Sequence, residues 1–192
     1  MRIRIICLMM LLPICGLFGP AAAAQESQTE KNPSFRILAM PVVGIGTEGT
    51  LSFGARIGAR WSESQNVYIQ FKSAFSSQKT AFSCDGDGFV DGHAVKPWYT
   101  GDDKKSRWSV TAGYGYGFLP WLTAYAGLGY GQRALYWESF EGDWARVEPS
   151  SFSGAEMEAG VMASFGQFAV SAGVQTCMFK FTEINLGIGF LF

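Results

Sequence analysis

The sequence predicts an all-β chain, with eight antiparallel strands closed into an up-and-down transmembrane β-barrel. Three observations carry this. In Thr182–Phe192 every even position is Thr, Ile, Leu, Ile, Phe or Phe, and most odd positions are Glu, Asn or Gly. A strict period of two marks a strand with one apolar and one polar face. Six further segments show the same alternation, and a poorer one at Phe35 to Ile45 brings the total to eight. Composition is the third. Hydrophobic residues reach 48% and Gly numbers 24, while charged residues are 16%, against about 25% in soluble domains. After the first two dozen residues no long apolar run occurs, so the apolar residues are interleaved with small and polar ones, as a barrel requires.

The elements follow in order. Residues 1–24 read as an export signal. Arg2 and Arg4 supply the positive region, Ile5 to Phe18 an apolar core, and Ala22-Ala23-Ala24 a small-residue cleavage site. At about 14 residues the apolar core is too short to span a bilayer comfortably. Residues 25–34 are expected to be a short periplasmic segment, and 35–192 the barrel. Without Arg2 and Arg4 the net charge is −3, which excludes a nucleic-acid partner.

Phe35 to Ile45 is the weakest strand, interrupted by Pro41, which suits an end strand or a bulge. Leu51 to Trp61 sets Leu51, Phe53, Ala55, Ile57, Ala59 and Trp61 against Ser52, Gly54, Arg56, Gly58 and Arg60. Asn66 to Phe75, Arg107 to Phe118, Trp121 to Trp137, Ala155 to Phe165 and Gln167 to Met178 repeat the pattern. The connections Ser62–Gln65, Leu119-Pro120 and Gly166 are short and fall on one side. Ser76–Ser106 and Ser139–Asp143 fall on the other, with short connections at Thr47–Gly49 and Phe179–Phe181, the asymmetry of a membrane barrel with its longer loops outside. Eleven residues at about 3.3 Å, tilted about 40°, rise roughly 27 Å, enough for the apolar band. Trp61, Phe75, Trp108, Phe118, Trp121, Tyr136, Trp137, Phe165, Phe168, Phe190 and Phe192 cluster near strand ends, as aromatic girdles would. A soluble, calycin-like barrel would instead need these aromatics packed inside.

The polar face carries Arg56, Arg60, Lys72, Arg107, Arg133, Glu156, Glu158 and Glu183. Inside a narrow barrel these form either a salt-bridged plug or the lining of a small anion-preferring pore. An eight-stranded interior is just filled by side chains, which favours the plug.

The chain resembles the small eight-stranded outer-membrane barrels, typified by outer membrane protein X and the barrel part of outer membrane protein A. The residues that carry the resemblance are the terminal strand ending in Phe192, and Gly127-Leu128-Gly129-Tyr130-Gly131-Gln132-Arg133 followed by Tyr136-Trp137-Glu138. The resemblance implies a location in the bacterial outer membrane. It also implies that Phe190 and Phe192 belong to the signal read by the barrel-assembly machinery during insertion, and a monomer bounded by outer-membrane lipid. The expected role is non-enzymatic, structural or surface-interacting, through outer loops 76–106 and 139–143 and a possible extracellular partner.

The remaining candidates lie in those loops. Ser83-Cys84-Asp85-Gly86-Asp87-Gly88-Phe89-Val90-Asp91 resembles part of a calcium loop, but Ser83 replaces the first Asp and Ala94 the bidentate Glu, so a solvated acidic loop is the plainer reading. His93 is the only histidine. It would serve a lipid A-modifying enzyme, yet no partner motif accompanies it. Neither catalytic residue, metal nor cofactor is expected. Cys84 and Cys177 would lie on the same side of an oxidising compartment, with pairing left open. Leu135–Glu138 and Trp144–Arg146 form a protruding hairpin over Glu141-Gly142-Asp143, which either stiffens an outer loop or offers an edge to a partner strand.

Overall fold

The computed structural model describes residues 35–47, 49–62, 64–74, 80–85, 89–90, 93–94 and 99–192, with 89–90 and 93–94 described by backbone alone. The expected export signal and periplasmic segment lie outside the described residues.

Eight strands form a closed ring: β1 (Arg36–Gly46), β2 (Leu51–Arg60), β3 (Gln65–Ala74), β7 (Tyr99–Leu119), β8 (Leu122–Ser139), β10 (Phe152–Phe165), β11 (Phe168–Cys177) and β12 (Phe181–Leu191). Every neighbour in the ring is antiparallel. Leu38 faces Leu191 and Ile45 faces Ile184 across the closing pair. Reciprocal hydrogen bonds of 3.0 Å between Ile37 and Phe192 finish it. Closure leaves no barrel edge, so backbone polar groups are paired without water, the condition for crossing a bilayer. β1 is therefore not an end strand. Its Pro41 sits in mid-strand, and the ladder to β12 passes from Ala39 to Val42 without it.

Alternation sets the two faces. Ile57, Ile69, Leu128 and Ile188 are all more than 60% exposed on the outside, while Arg56, Lys72, Arg107 and Glu183 are at most 1% exposed on the inside. This polarity is the inverse of a soluble barrel and needs an apolar surrounding. At one rim Trp121 stacks on Phe165 at 6.5 Å, and Phe168, Phe190 and Phe192 form a run of ring contacts at 5.1 and 6.2 Å.

At the other rim β7 and β8 continue beyond their neighbours. β3 ends opposite Arg107, whereas β7 begins at Tyr99, so residues 99–106, expected within a loop, are strand. β9 (Trp144–Val147) folds back on β8, with Trp137 opposite Ala145. β4 (Phe82–Cys84) then pairs in parallel with β9, Ser83 opposite Arg146. Two short strands, β5 (Phe89–Val90) and β6 (His93–Ala94), pair with each other. The edge of the protruding hairpin is thus occupied by the chain's own β4. Tyr136 and Trp137 do not join the girdle. They belong to this outer sheet, where Tyr136 is buried and Trp137 packs with Phe82 and Leu135 around Cys84, Ala145 and Val147. Phe75 lies outside the described residues.

Candidate functional site: the barrel lumen and the outer sheet

All eight charges expected on the inner face are buried. Six of them meet in the middle and outer part of the lumen. Glu158 accepts from Arg56, Tyr68 (3.3 Å), Gln70 (3.2 Å), Thr111 (3.1 Å) and Asn185 (3.3 Å). Tyr68 and Tyr125 lie on the Arg56 guanidinium at 4.5 and 4.1 Å, an arrangement that stabilises a desolvated cation. Glu183 takes Lys72 at 2.6 Å, Arg107 at 3.1 Å and the Ser52 hydroxyl at 2.9 Å. Glu156 binds Arg107 through both oxygens, at 2.7 and 3.1 Å. The uncharged amides join these centres. Gln175 donates to Glu156 at 2.9 Å, and Asn185 donates to Gln175 at 3.0 Å while accepting from Lys72 at 2.6 Å.

Three carboxylates thus face three cations, and the spare lone pairs are used by amides and hydroxyls. Buried ions are tolerated only under such conditions. The other two cations sit at the ends. Arg60 bonds the Ser62 carbonyl at 3.1 Å near one rim. Arg133 bonds the Ser150 carbonyl at 3.2 Å near the other.

Below the ions an apolar cluster fills part of the lumen. Leu38, Met40, Val42, Met162, Ala169 and Leu191 pack with Tyr68 and Tyr125. A polar face rich in Gly and charge does not announce this layer; it comes from the inward even positions of β1, whose parity is set by the pairing with β12. Tyrosines fill the remaining space because glycines face them. A Cβ at Gly160 would lie 2.5 Å from the Tyr125 hydroxyl, so the interior admits no side chain there. Phe181, expected in a turn, is also inside at 2% exposure and lies 5.0 and 5.1 Å from the Arg107 and Arg133 guanidinium carbons. It extends the odd-numbered inward series of β12 by one position.

The loop candidates do not converge. The backbone of His93 pairs with Val90, while Asp91 falls outside the described residues. Ser83 lies exposed on β4. Most of the acidic stretch after Asp85 is likewise outside them, and among the described residues no cluster of His, Cys, Asp and Glu fits a metal. Cys84 and Cys177 are both free and buried. Cys84 belongs to the small core of the outer sheet, whereas Cys177 points into the lumen toward the Gly131 carbonyl at 3.9 Å. Burial, with Asp85 and Glu148 nearby, pushes the Cys84 thiol up. The Tyr99 hydroxyl is raised by burial and by Asp103 and Asp102.

Closed ring, apolar outside and charged inside define a transmembrane β-barrel of the outer-membrane type. No protein-family model matches the chain, and no curated protein sequence matches it. Solved structures do. The chain is similar to Ail, the attachment invasion locus protein of Yersinia pestis, solved in complex with the heparin analogue sucrose octasulfate. Identity is 15% and the TM-score 0.55, over 82% of this chain and 96% of that one. It is also similar to the N-terminal β-barrel domain of Pseudomonas aeruginosa OprF, at 15% identity and a TM-score of 0.50, over 82% of this chain and 97% of that one. The shared feature is the fold of small outer-membrane barrels.

Proposed function

We propose that this protein is a non-enzymatic, monomeric barrel of the bacterial outer membrane, with a sealed lumen that acts as a strut and an outer sheet that acts as a recognition surface. One observation carries the reading: the carboxylates of Glu156, Glu158 and Glu183 are matched by Arg56, Lys72 and Arg107 inside a fully buried lumen. A pore lining would keep such groups hydrated. Full-length barrel in a planar bilayer is expected to pass no discrete current steps, and regular single-channel steps would overturn the sealed-lumen reading. His93→Ala is expected to leave the lipid A of the host membrane unchanged by mass spectrometry.

Recognition falls to β7, β8, β9 and β4, which rise above the rim. The partner differs in charge from that of Ail. The outer segments here (residues 47–50, 75–106, 138–151 and 178–180) hold ten acidic and six basic residues, which repel a heparin-like polyanion. A basic or neutral surface partner fits better. Cells displaying the barrel are expected to bind immobilised polylysine and ignore immobilised heparin, with the difference lost when loops 76–106 and 139–143 are shortened. Preference for heparin would reverse the assignment. Phe190 and Phe192, exposed at the closing rim, serve in this reading as the signal for assembly.

A further inference from the structure

Pro41 interrupts the closing seam of the barrel at one identifiable bond. The register runs Ala39 with Phe190 and then Val42 with Gly187, so Met40 opposite Gly189 and Pro41 opposite Ile188 form no bridge. Hydrogen-bonding direction alternates along an antiparallel strand. Ile37 exchanges both its bonds with Phe192, so odd positions of β1 turn their backbone groups to β12 and even positions turn theirs to β2. Leu191 donates to Gln167 on the β11 side at 2.7 Å, which leaves the even positions of β12 turned to β1. Pro41 and Ile188 would therefore exchange two bonds. Proline has no N–H, so the Ile188 carbonyl receives none from β1. Pairing of Pro41 with Ala55 on β2 is kept. The Ile188 side chain is 68% exposed on the lipid face, two residues inside Phe190, where no water replaces the donor.

Side chains behind the seam repeat the asymmetry. In its outer half, Glu183 of β12 takes Ser52 at 2.9 Å and Lys72 at 2.6 Å, and Asn185 takes Lys72 at 2.6 Å. These bonds pass behind Gly44, where a Cβ would stand 2.8 Å from the Lys72 Nζ, and tie β12 to β2 and β3. At the level of the gap the inward positions of β12 are Gly187 and Gly189, which offer no side chain to hold β1. Met40 fills that space. Its sulfur stands 2.6 Å from where a Gly187 Cβ would be and accepts from the Ser171 hydroxyl at 3.1 Å. A thioether is flexible and a weak acceptor. Nearer the Phe190 rim, Leu38 and Leu191 meet by apolar packing alone. Ile37 to Ala39 thus form a short paired block, cut off by Pro41 from the block Val42 to Gly46.

We propose that Pro41 makes the inner end of the β1–β12 seam a lateral opening: residues 36–41 of β1 separate from residues 188–192 of β12 while the outer half of the seam and the other strand pairs stay closed. The side chains uncovered are Leu38, Met40 and Leu191, from the apolar cluster of the lumen, which membrane lipid accepts. The ion pairs above them stay in place. The barrel therefore opens sideways to lipid without becoming a pore.

Residue-resolved amide hydrogen exchange on the full-length barrel in micelles tests this. In wild type the Ala39 and Phe190 amides are expected to exchange about ten-fold faster than the Val43 and Leu186 amides of the same two strands. Equal protection at the two levels overturns the proposal. Pro41→Val supplies the missing N–H in a residue suited to strands, and Pro41→Ala supplies it where valine does not fold. Either is expected to slow exchange at Ala39 and Phe190 about ten-fold, with Val43, Leu186 and the β10–β11 amides unchanged. No slowing at Ala39 and Phe190 would assign the wild-type rates to ordinary end fraying and remove Pro41 from the account. Slowing spread evenly over all strands would mark a global gain in stability, which also overturns a local opening.

Discussion

The lumen and the outer sheet are continuous along β7 and β8, yet they are held by different physics. Within the ring each strand sees lipid on one side and a packed polar interior on the other. A single parity therefore assigns every side chain, and ion pairs hold the centre. Above the rim both faces meet water or other chain segments. There a small apolar core of Cys84, Ala145 and Val147 holds the sheet, and the ion pair of Lys105 with Asp103, at 3.8 Å, is partly exposed. The same strand changes its means of support when its surroundings change.

This contrast predicts a gradient of mutational effects. Glu183→Ala should be the most damaging, because it leaves Lys72 without its counter-charge and takes from Arg107 one of its two carboxylates; breaking a buried pair costs about 3–5 kcal/mol, read as a drop in the urea midpoint in micelles. Conductance should appear in the surviving fraction. Glu158→Gln keeps the shape but leaves Arg56 without its counter-charge, and about 2–3 kcal/mol is expected. Gly160→Val forces a branched side chain against Tyr125, with a loss of about 1–3 kcal/mol from overpacking. A Gly160→Val barrel as stable as wild type would show that the interior has slack.

Changes above the rim should stay above it. Val147→Ala removes apolar contact from the outer core, and a local loss of about 1–2 kcal/mol is expected. Protease should then cut the outer segments while the ring remains intact on a gel without heating. Asp103→Ala should move the midpoint by no more than about 0.5 kcal/mol. The raised Cys84 thiol adds a pH test. Its thiolate fraction in the folded protein stays low at pH 8, so maleimide labelling should wait for unfolding. The proton is held more tightly in the folded form, so this contribution is lost as pH climbs above the ordinary thiol range.

Legibility in the sequence follows the same boundary. Arg56, Lys72, Glu156 and Glu183 could be placed inside because alternation against lipid leaves one choice for each. The amides Gln70, Gln175 and Asn185 share that parity, but their role as connectors depends on which strands face one another across the lumen, and no local pattern encodes that. Leu38, Met40 and Val42 were hidden because both faces of β1 are apolar. Phe181 was hidden because its turn begins with strained residues that propensity would not choose. The parallel pairing of β4 with β9 joins segments some sixty residues apart and leaves no trace in either. Tyr136 and Trp137 looked like girdle residues until the strand carrying them proved to run past the membrane.

The seam between Ile37 and Phe192 has a consequence in time. In an up-and-down ring all other neighbours are joined through short or moderate connections and can pair as they are made. The last partnership joins the beginning of the barrel to its end, the largest loop-closure entropy in the chain. Until then β1 and β12 each present an unpaired row of amides and carbonyls, sites at which a growing barrel can mispair. The pairing of Ile37 with Phe192 therefore marks the moment at which an aggregation-prone ribbon becomes a closed object.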